Sequence, residues 1–443
     1  MAVLEGFGRL RGASGADRTV MAALVKGPKV RLVVAAFIVA ALCAPVLAAT
    51  KAHRPGSGLA HRPASGLAAR KDPAKKDDPP INAPHAILID AENGSVLFER
   101  DPDVMIFPAS LAKLMTAEYV FHLIKTGKLN LTDEFPVSEN AWRKGGAPSR
   151  TSTMFAALHS RISVDSLIHG LIIQSANDAC IVLAEGLEGT EAAFAAKLTQ
   201  RAREIGLPKS TFANSNGLPD PGTQVTTREL GILARQIILN YPDLYPIYGQ
   251  RDFTWNKIKQ PNRNPLLALD IGADGLKTGF TKEAGYGLVG SAVQNGVRLV
   301  EVVNGLSSPK ERAEDGRKLL EWGFKNFEHR ILFAEGQTIG YAKVFGGAES
   351  SVPLVAPGLV QVMMPKAGGD RLVARIVYNG PVPAPIAKDQ AIGELRVWRN
   401  DKVILNMPLK AAEAVAQGSL SQRAVDAVAE LMIGLFRAGA QKL

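Results

Sequence analysis

Two apolar runs, Leu167–Ile173 and Ala179–Leu187, are separated by a short polar break, Ser175-Ala176-Asn177. Runs of this length and composition read as helices with little surface left to water. A hydroxyl and a carboxamide between them are costly to desolvate unless they line a site. The break therefore constrains the fold strongly: two consecutive helices must be buried while their junction opens on a cleft. Two other short motifs bracket it, Ser110-Leu111-Ala112-Lys113 upstream and Lys277-Thr278-Gly279 downstream.

At 443 residues the chain has room for two domains and a sizeable core. The net charge of +10 would suit a nucleic-acid binder if it lay on a folded face. It does not: residues 1–49 carry +4, residues 50–83 another +4, and the remaining 360 only +2. The basicity belongs to a leader and a tail, so no nucleic-acid partner is expected.

Residues 1–49 read as an export signal. Lys26, Lys29 and Arg31 precede an apolar run from Leu32 to Val46, and Ala48 and Ala49 offer a cleavage site. Met21 is an alternative start, and an uncleaved membrane anchor is the competing reading. Cys43 lies in this leader; Cys180, beside Ala179, Ile181 and Val182, is expected to be a buried structural thiol with no disulfide partner.

Residues 50–83 read as a disordered tether. An eight-residue unit beginning His53-Arg54-Pro55 repeats at His61-Arg62-Pro63, and a mixed-charge run to Pro80 follows. Residues 84–330 form the first folded domain. It opens with a hairpin around Asn93-Gly94, and a helix is expected to begin around Ser110. Helices dominate 160–240, strands return at 275–280, 286–294 and 299–304, and a helix runs from Pro309 to about Trp322. Strands at both ends with helices between predict a mixed sheet covered by helices. Short alternating segments over 336–410 predict a small all-β domain. An amphipathic helix over 419–437 either packs on its own domain or lies in a membrane surface.

The motifs fit acyl transfer through a serine ester. Residues three apart on a helix share a face, which places Lys113 beside Ser110. A desolvated lysine has a lowered pKa and can take the serine proton. Ser175 and Asn177 supply a hydroxyl and an amide. Lys277 and Thr278 add a cation and a hydroxyl on a strand, and Gly279 would permit close approach of a ligand backbone. Neither a metal nor another cofactor is required. His122 and His169 lie among apolar helical residues, and no His-Glu-x-x-His or Gly-x-Ser-x-Gly pattern is present. Two decoys exist: Ser138-Glu139-Asn140 in a polar loop, and Lys125-Thr126-Gly127 where the first helix should end.

The segment Phe107-Pro108-Ala109-Ser110-Leu111-Ala112-Lys113-Leu114-Met115-Thr116-Ala117 resembles the active-site helix of the D-alanyl-D-alanine carboxypeptidases, low-molecular-mass penicillin-binding proteins. Ile173–Ala179 and Asp274–Gly279 resemble their second and third motifs. The resemblance spans about 83–436. It implies an α/β (mixed) transpeptidase fold of the penicillin-binding/β-lactamase type with a small C-terminal β domain. It further implies that Ser110 attacks the penultimate D-alanine carbonyl of a peptidoglycan stem with Lys113 as base. Ser110 and Phe280 would offer backbone N–H groups to the oxyanion, and Ser175 and Asn177 would relay protons and hold the substrate amide. Lys277 and Thr278 would bind the terminal carboxylate, with Arg263 and Arg312 adding positive charge there. Phe280 stands where some members carry histidine, and Ala112 where many carry threonine. β-Lactams are expected inhibitors, and the periplasm or outer face of the cytoplasmic membrane the location. A D,D-endopeptidase, a β-lactamase and a non-catalytic wall-binding protein are the rival readings.

Overall fold

The computed structural model describes residues 2–3, 78–368, 371–428 and 431. Most of the leader and tether, and residues 432–437 of the terminal helix, lie outside these. Strands β1 (His85–Asp90) and β2 (Val96–Arg100) form the expected hairpin, with Gly94 at φ +78° in its turn. Strands β3 (Ala273–Thr281), β4 (Gly285–Gln294) and β5 (Val297–Leu306) form a meander. The two blocks join where β5 pairs with β1, Leu299 opposite Asp90 through Asn304 opposite His85. The sheet order is β2-β1-β5-β4-β3.

All four pairings are antiparallel, where a mixed sheet was expected. The helices are inserted between the hairpin and the meander and do not serve as crossovers joining parallel strands. They are α1 (Lys113–Lys125), α2 (Val164–Ile173), α3 (Asn177–Glu188), α4 (Glu191–Glu204) and α5 (Thr227–Asn240). Helix α6 (Pro309–Asn326) follows the meander. Ile87, Ile89, Val300 and Val302 face the helical insertion, while Leu88, Leu288 and Leu299 face Leu319 and Leu320 of α6. Covered on both sides, the central strands are apolar at nearly every position and do not alternate. Side-chain caps start the helices: Ser163 accepts from Ser166 N, Thr190 from Ala193 N, Thr226 from Glu229 N and Ser308 from Glu311 N.

Helix α6 passes at Asn326 directly into β6 (Phe327–Phe333), which pairs with β9 (Val360–Pro365). The β domain's strands thus begin ahead of 336. Strands β7 (Gly340–Phe345), β8 (Ser351–Val355), β10 (Leu372–Tyr378), β11 (Ala391–Arg399) and β12 (Lys402–Ala411) form its main sheet, in the order β10-β11-β12-β8-β7. Ala2 and Val3 pair with Tyr378 and Val377 on β10. Val344, Leu354, Val362, Val397 and Leu409 belong to this domain's own core. Ser95 Oγ donates to Ile404 O (2.7 Å) and Asn93 Nδ2 to Gln361 O (3.2 Å), so the β1–β2 turn docks on it. Residues 420–428 and 431 are helical, and the helix is tied down where Asp426 accepts from Gly346 N (2.8 Å).

Inside the helical cluster, Glu118 of α1 is fully buried. Its carboxylate accepts from Arg201 Nη2 of α4 (2.9 Å) and from the Tyr241 hydroxyl just past α5 (2.8 Å). A buried pair is costly to break because the surviving charge stays desolvated. Glu118→Ala should lower unfolding free energy by about 3–5 kcal/mol, read as a fall in the urea midpoint at unchanged slope. An unchanged midpoint would show that Arg201 finds water or another acceptor.

Candidate active site

The nucleophile candidate lies in a 3₁₀ turn, Ala109–Ala112, and the α-helix begins only at Lys113. The expectation of a helix starting at Ser110 is corrected accordingly. Three residues per turn place side chains i and i+3 directly over one another. Lys113 Nζ accordingly lies 3.0 Å from Ser110 Oγ and donates also to Asn216 O at 2.6 Å. The lysine is fully buried, and burial pushes its pKa down to about 8. Ala109 enters this turn at φ +48°, a costly value for a residue with a Cβ.

The polar break in the sequence is the joint between α2 and α3. Ser175 sits in it at φ +58°, buried, and its Oγ accepts from Lys277 Nζ at 2.8 Å. Lys277 donates also to Thr278 O at 3.0 Å. Burial, then the neighbouring charges of Lys113 and Arg263, hold its pKa well below the ordinary lysine value. Each serine of the site is therefore paired with its own buried lysine.

Asn177 opens α3. Its Nδ2 donates to Thr151 Oγ1 (2.9 Å) and its backbone N–H to Ser152 O (2.7 Å). Its Oδ1 is buried with no hydrogen-bond partner among the described residues, an acceptor open to a substrate N–H. Arg263 Nη1 donates to Ser152 Oγ at 2.5 Å, so Ser152 bridges Arg263 and Asn177.

Strand β3 is the edge of the sheet and carries the third motif against the Ser110 turn. A Cβ on Gly279 would lie 2.9 Å from Pro108 O and 3.0 Å from Leu111 Cγ. The glycine thus lets the strand approach the nucleophile turn of its own chain, whereas close approach of a ligand backbone was expected. Gly217 does the same from another side: its φ is +76° and a Cβ there would fall 1.9 Å from Ala109 O. Thr278 is buried, while Phe280 is 49% exposed and stacks on Tyr286 at 4.1 Å between ring centroids. The Arg312 guanidinium lies 5.6 Å from the Tyr286 ring centroid. Arg312 is thus set behind the aromatic pair, and its charge acts on Lys277 from there.

The decoys have structural roles. Ser138 caps the short helix Glu139–Lys144, and Asn140 Nδ2 donates to Glu185 (2.8 Å). Gly127, at φ +69°, ends α1 with Lys128 N donating back to Leu123 O. Cys180 is buried, donates to Ala176 O, and has its pKa pushed up to about 12 by burial. His169 stacks on Phe253 and takes no part in the cluster.

Sequence reasoning missed four contributors. Asn216 acts through its carbonyl, which no side-chain pattern reports. Thr151 and Ser152 lie in a polar loop with no motif. Asp178, directly after the second motif, accepts from Thr153 Oγ1 (2.5 Å), Met154 N (3.0 Å) and Ala156 N (3.0 Å), which fixes that loop. An acidic residue in the first turn of a helix, next to Asn177, was the available signal.

Residues 72–308 match the family described as D-alanyl-D-alanine carboxypeptidase, and residues 327–417 match the C-terminal domain of penicillin-binding protein 5. The chain is 37% identical over 353 residues to the D-alanyl-D-alanine carboxypeptidase DacC of Escherichia coli K12, covering 79% of this chain and 88% of that protein. Its structure is similar to that of penicillin-binding protein 5 from Haemophilus influenzae, with a TM-score of 0.69 and 36% identity, covering 77% of this chain and 99% of that one. It is also similar to the cefotaxime-bound form of penicillin-binding protein D2 from Listeria monocytogenes, with a TM-score of 0.50 and 32% identity over 55% of this chain and 98% of that one. By the family match over residues 72–308 and the identity to DacC, the chain belongs to the D-alanyl-D-alanine carboxypeptidase family.

Proposed function

We propose that this protein is a serine-type D-alanyl-D-alanine carboxypeptidase that removes the terminal D-alanine from peptidoglycan stem peptides. The observation that carries the reading is the 3.0 Å contact between Ser110 Oγ and a fully buried Lys113 whose pKa is about 8. A neutral Lys113 takes the Ser110 proton as Oγ attacks the penultimate D-alanine carbonyl. The backbone N–H groups of Ser110 and Phe280 receive the oxyanion. Asn177 Oδ1 accepts the substrate amide N–H. Lys277 and Thr278 bind the terminal carboxylate, and Arg263 and Arg312 add to the positive field there. Collapse of the tetrahedral species breaks the C–N bond; the proton held by Lys113 passes, through Ser175, to the departing D-alanine amine. Water then cleaves the Ser110 ester. A β-lactam enters by the same attack and leaves Ser110 acylated.

D-Alanine release from a diacyl-Lys-D-Ala-D-Ala peptide tests the reading. Ser110→Ala should lower kcat/KM by roughly 10⁴-fold or more, with the thermal midpoint preserved as the check on folding. Residual release at the wild-type rate would remove Ser110 as the nucleophile.

The pH dependence has a definite sign. The ammonium of Lys113 cannot accept a proton, so acylation by a β-lactam should rise with pH up to about 8 and level off above it. A rate that is flat from pH 6 to 9 would exclude Lys113 as the base.

We also place the enzyme outside the cytoplasm, held to a membrane surface by its C-terminal helix. The leader that supports export lies outside the described residues. Leu420, Val425, Val428 and Leu431 are between 62% and 81% exposed, an apolar set with water as its neighbour. Among the described residues no helix is long and apolar enough to cross a membrane. Truncation after Gln417 should reduce partitioning onto lipid vesicles; equal partitioning would remove the helix from that role.

A further inference from the structure

Lys277 faces the helical insertion, where its Nζ lies 2.8 Å from Ser175 Oγ. Ala273, four residues earlier on the same strand, packs into the cluster of Leu288, Leu299 and Leu319 on the α6 side of the sheet. Residues four apart on an uninterrupted strand share a face. Strand β3 is interrupted between them: Ala273 lies opposite Ala292 and Gly275 opposite Ser291, so two steps on β3 match one on β4. Asp274 is the extra residue, with no partner across the ladder. Such a bulge turns every later side chain to the other face. Without it Lys277 would point at α6, away from Ser175.

Strand β3 is an edge strand, so the ladder supports this bulge from one side only. The further support is a fork from two strands away. Arg298 of β5 reaches across β4 and donates from Nη1 to Asp274 Oδ1 (2.8 Å), while its Nη2 lies 2.7 Å from Oδ2. Nη1 donates also to Ser291 Oγ of β4 (2.8 Å), a fully buried residue. The Tyr245 hydroxyl, from the 3₁₀ turn Tyr245–Gly249, donates to Asp274 Oδ1 (2.7 Å). The Arg298 guanidinium lies 5.1 Å from the Tyr245 ring centroid. A Cβ on Gly275 would fall 2.7 Å from the Tyr245 hydroxyl, so the glycine after Asp274 admits this contact. Two parallel bonds fix direction as well as distance, which a point charge does not. Among the described residues neither Asp274 nor Arg298 hydrogen-bonds to Ser110, Lys113, Ser175 or Lys277.

We propose that Asp274 and Arg298 are positioning residues for the reaction: their ion pair holds the bulge that turns Lys277 toward Ser175, and acylation of Ser110 depends on them through Lys277. The inference rests on the carboxypeptidase reading, which gives Lys277 its role.

The test is a cycle of variants in the full-length chain. Asp274→Asn and Arg298→Gln are each made in the wild-type chain and in Lys277→Ala. Acylation of Ser110 by a penicillin is followed by mass spectrometry from seconds to hours, so that slow variants stay measurable. In the wild-type background each substitution should lower the second-order acylation rate by roughly 10- to 100-fold, the scale of a misplacement of about 1 Å. In the Lys277→Ala background the same substitutions should cost less than about twofold, because the group they aim is gone. Thermal midpoints are measured throughout. Asp274→Asn keeps the shape of the side chain and an acceptor for Tyr245, so it carries the test if Arg298→Gln does not fold. An unchanged rate in the wild-type background, or an equal loss in both backgrounds, overturns the proposal and leaves the carboxypeptidase reading intact. A wild-type chain that is not acylated at all overturns that reading, and this inference with it.

Discussion

A lysine amine held out of water between Ser110 Oγ and Asn216 O is the interaction on which the rest of the site depends. In water that amine would be protonated at any physiological pH and useless as a base. Burial disfavours the charged form, and the helix that carries Lys113 supplies it, since every residue from Lys113 to Phe121 is buried. The neutral form keeps a donor for the carbonyl and a lone pair for the serine proton. On the proposed mechanism, burial of α1 is thus a catalytic requirement as well as a packing outcome. The Glu118–Arg201–Tyr241 network that locks α1 to its neighbours contributes to the chemistry indirectly.

Each motif sits at a joint between elements. Ser110 is on a 3₁₀ turn before α1, Ser175 is between α2 and α3, and Lys277 is on an edge strand. A joint can aim a side chain in a direction that neither flanking element allows. The cost is visible in the backbone: Ala109 and Ser175 both adopt positive φ. Gly217 and Gly279 then let two separate segments close on the Ser110 turn.

What was legible in the sequence follows from range. Ser110 and Lys113 are three apart, so local geometry alone pairs them, and the polar break at Ser175 stands out against its apolar flanks. The Lys277–Ser175 bond joins residues 102 apart, and neither local spacing nor the resemblance, which gave the two separate roles, paired them. The Lys113–Asn216 bond, over 103 residues, uses a backbone carbonyl and left no trace in residue type. Strand direction was misjudged because helices lying between strands in sequence suggest crossovers, whereas here they form one insertion. Gly279 was assigned the right property, room for close approach, with the wrong neighbour: the Ser110 turn is distant in sequence, and only the fold brings it there.

Positive charge gathers where the third motif meets the second, since Arg263 and Arg312 both act on the buried Lys277. The folded part of the chain carries little net charge, +2 over residues 84–443, so this concentration is local. On the proposed reading, a substrate that enters with its terminal carboxylate toward Lys277 meets complementary charge, and the attraction strengthens as water is displaced. Such a field orients the peptide before any close contact forms. Burial lowers the pKa of both lysines of the site, so the two guanidiniums, which keep their charge, sustain that field as pH rises.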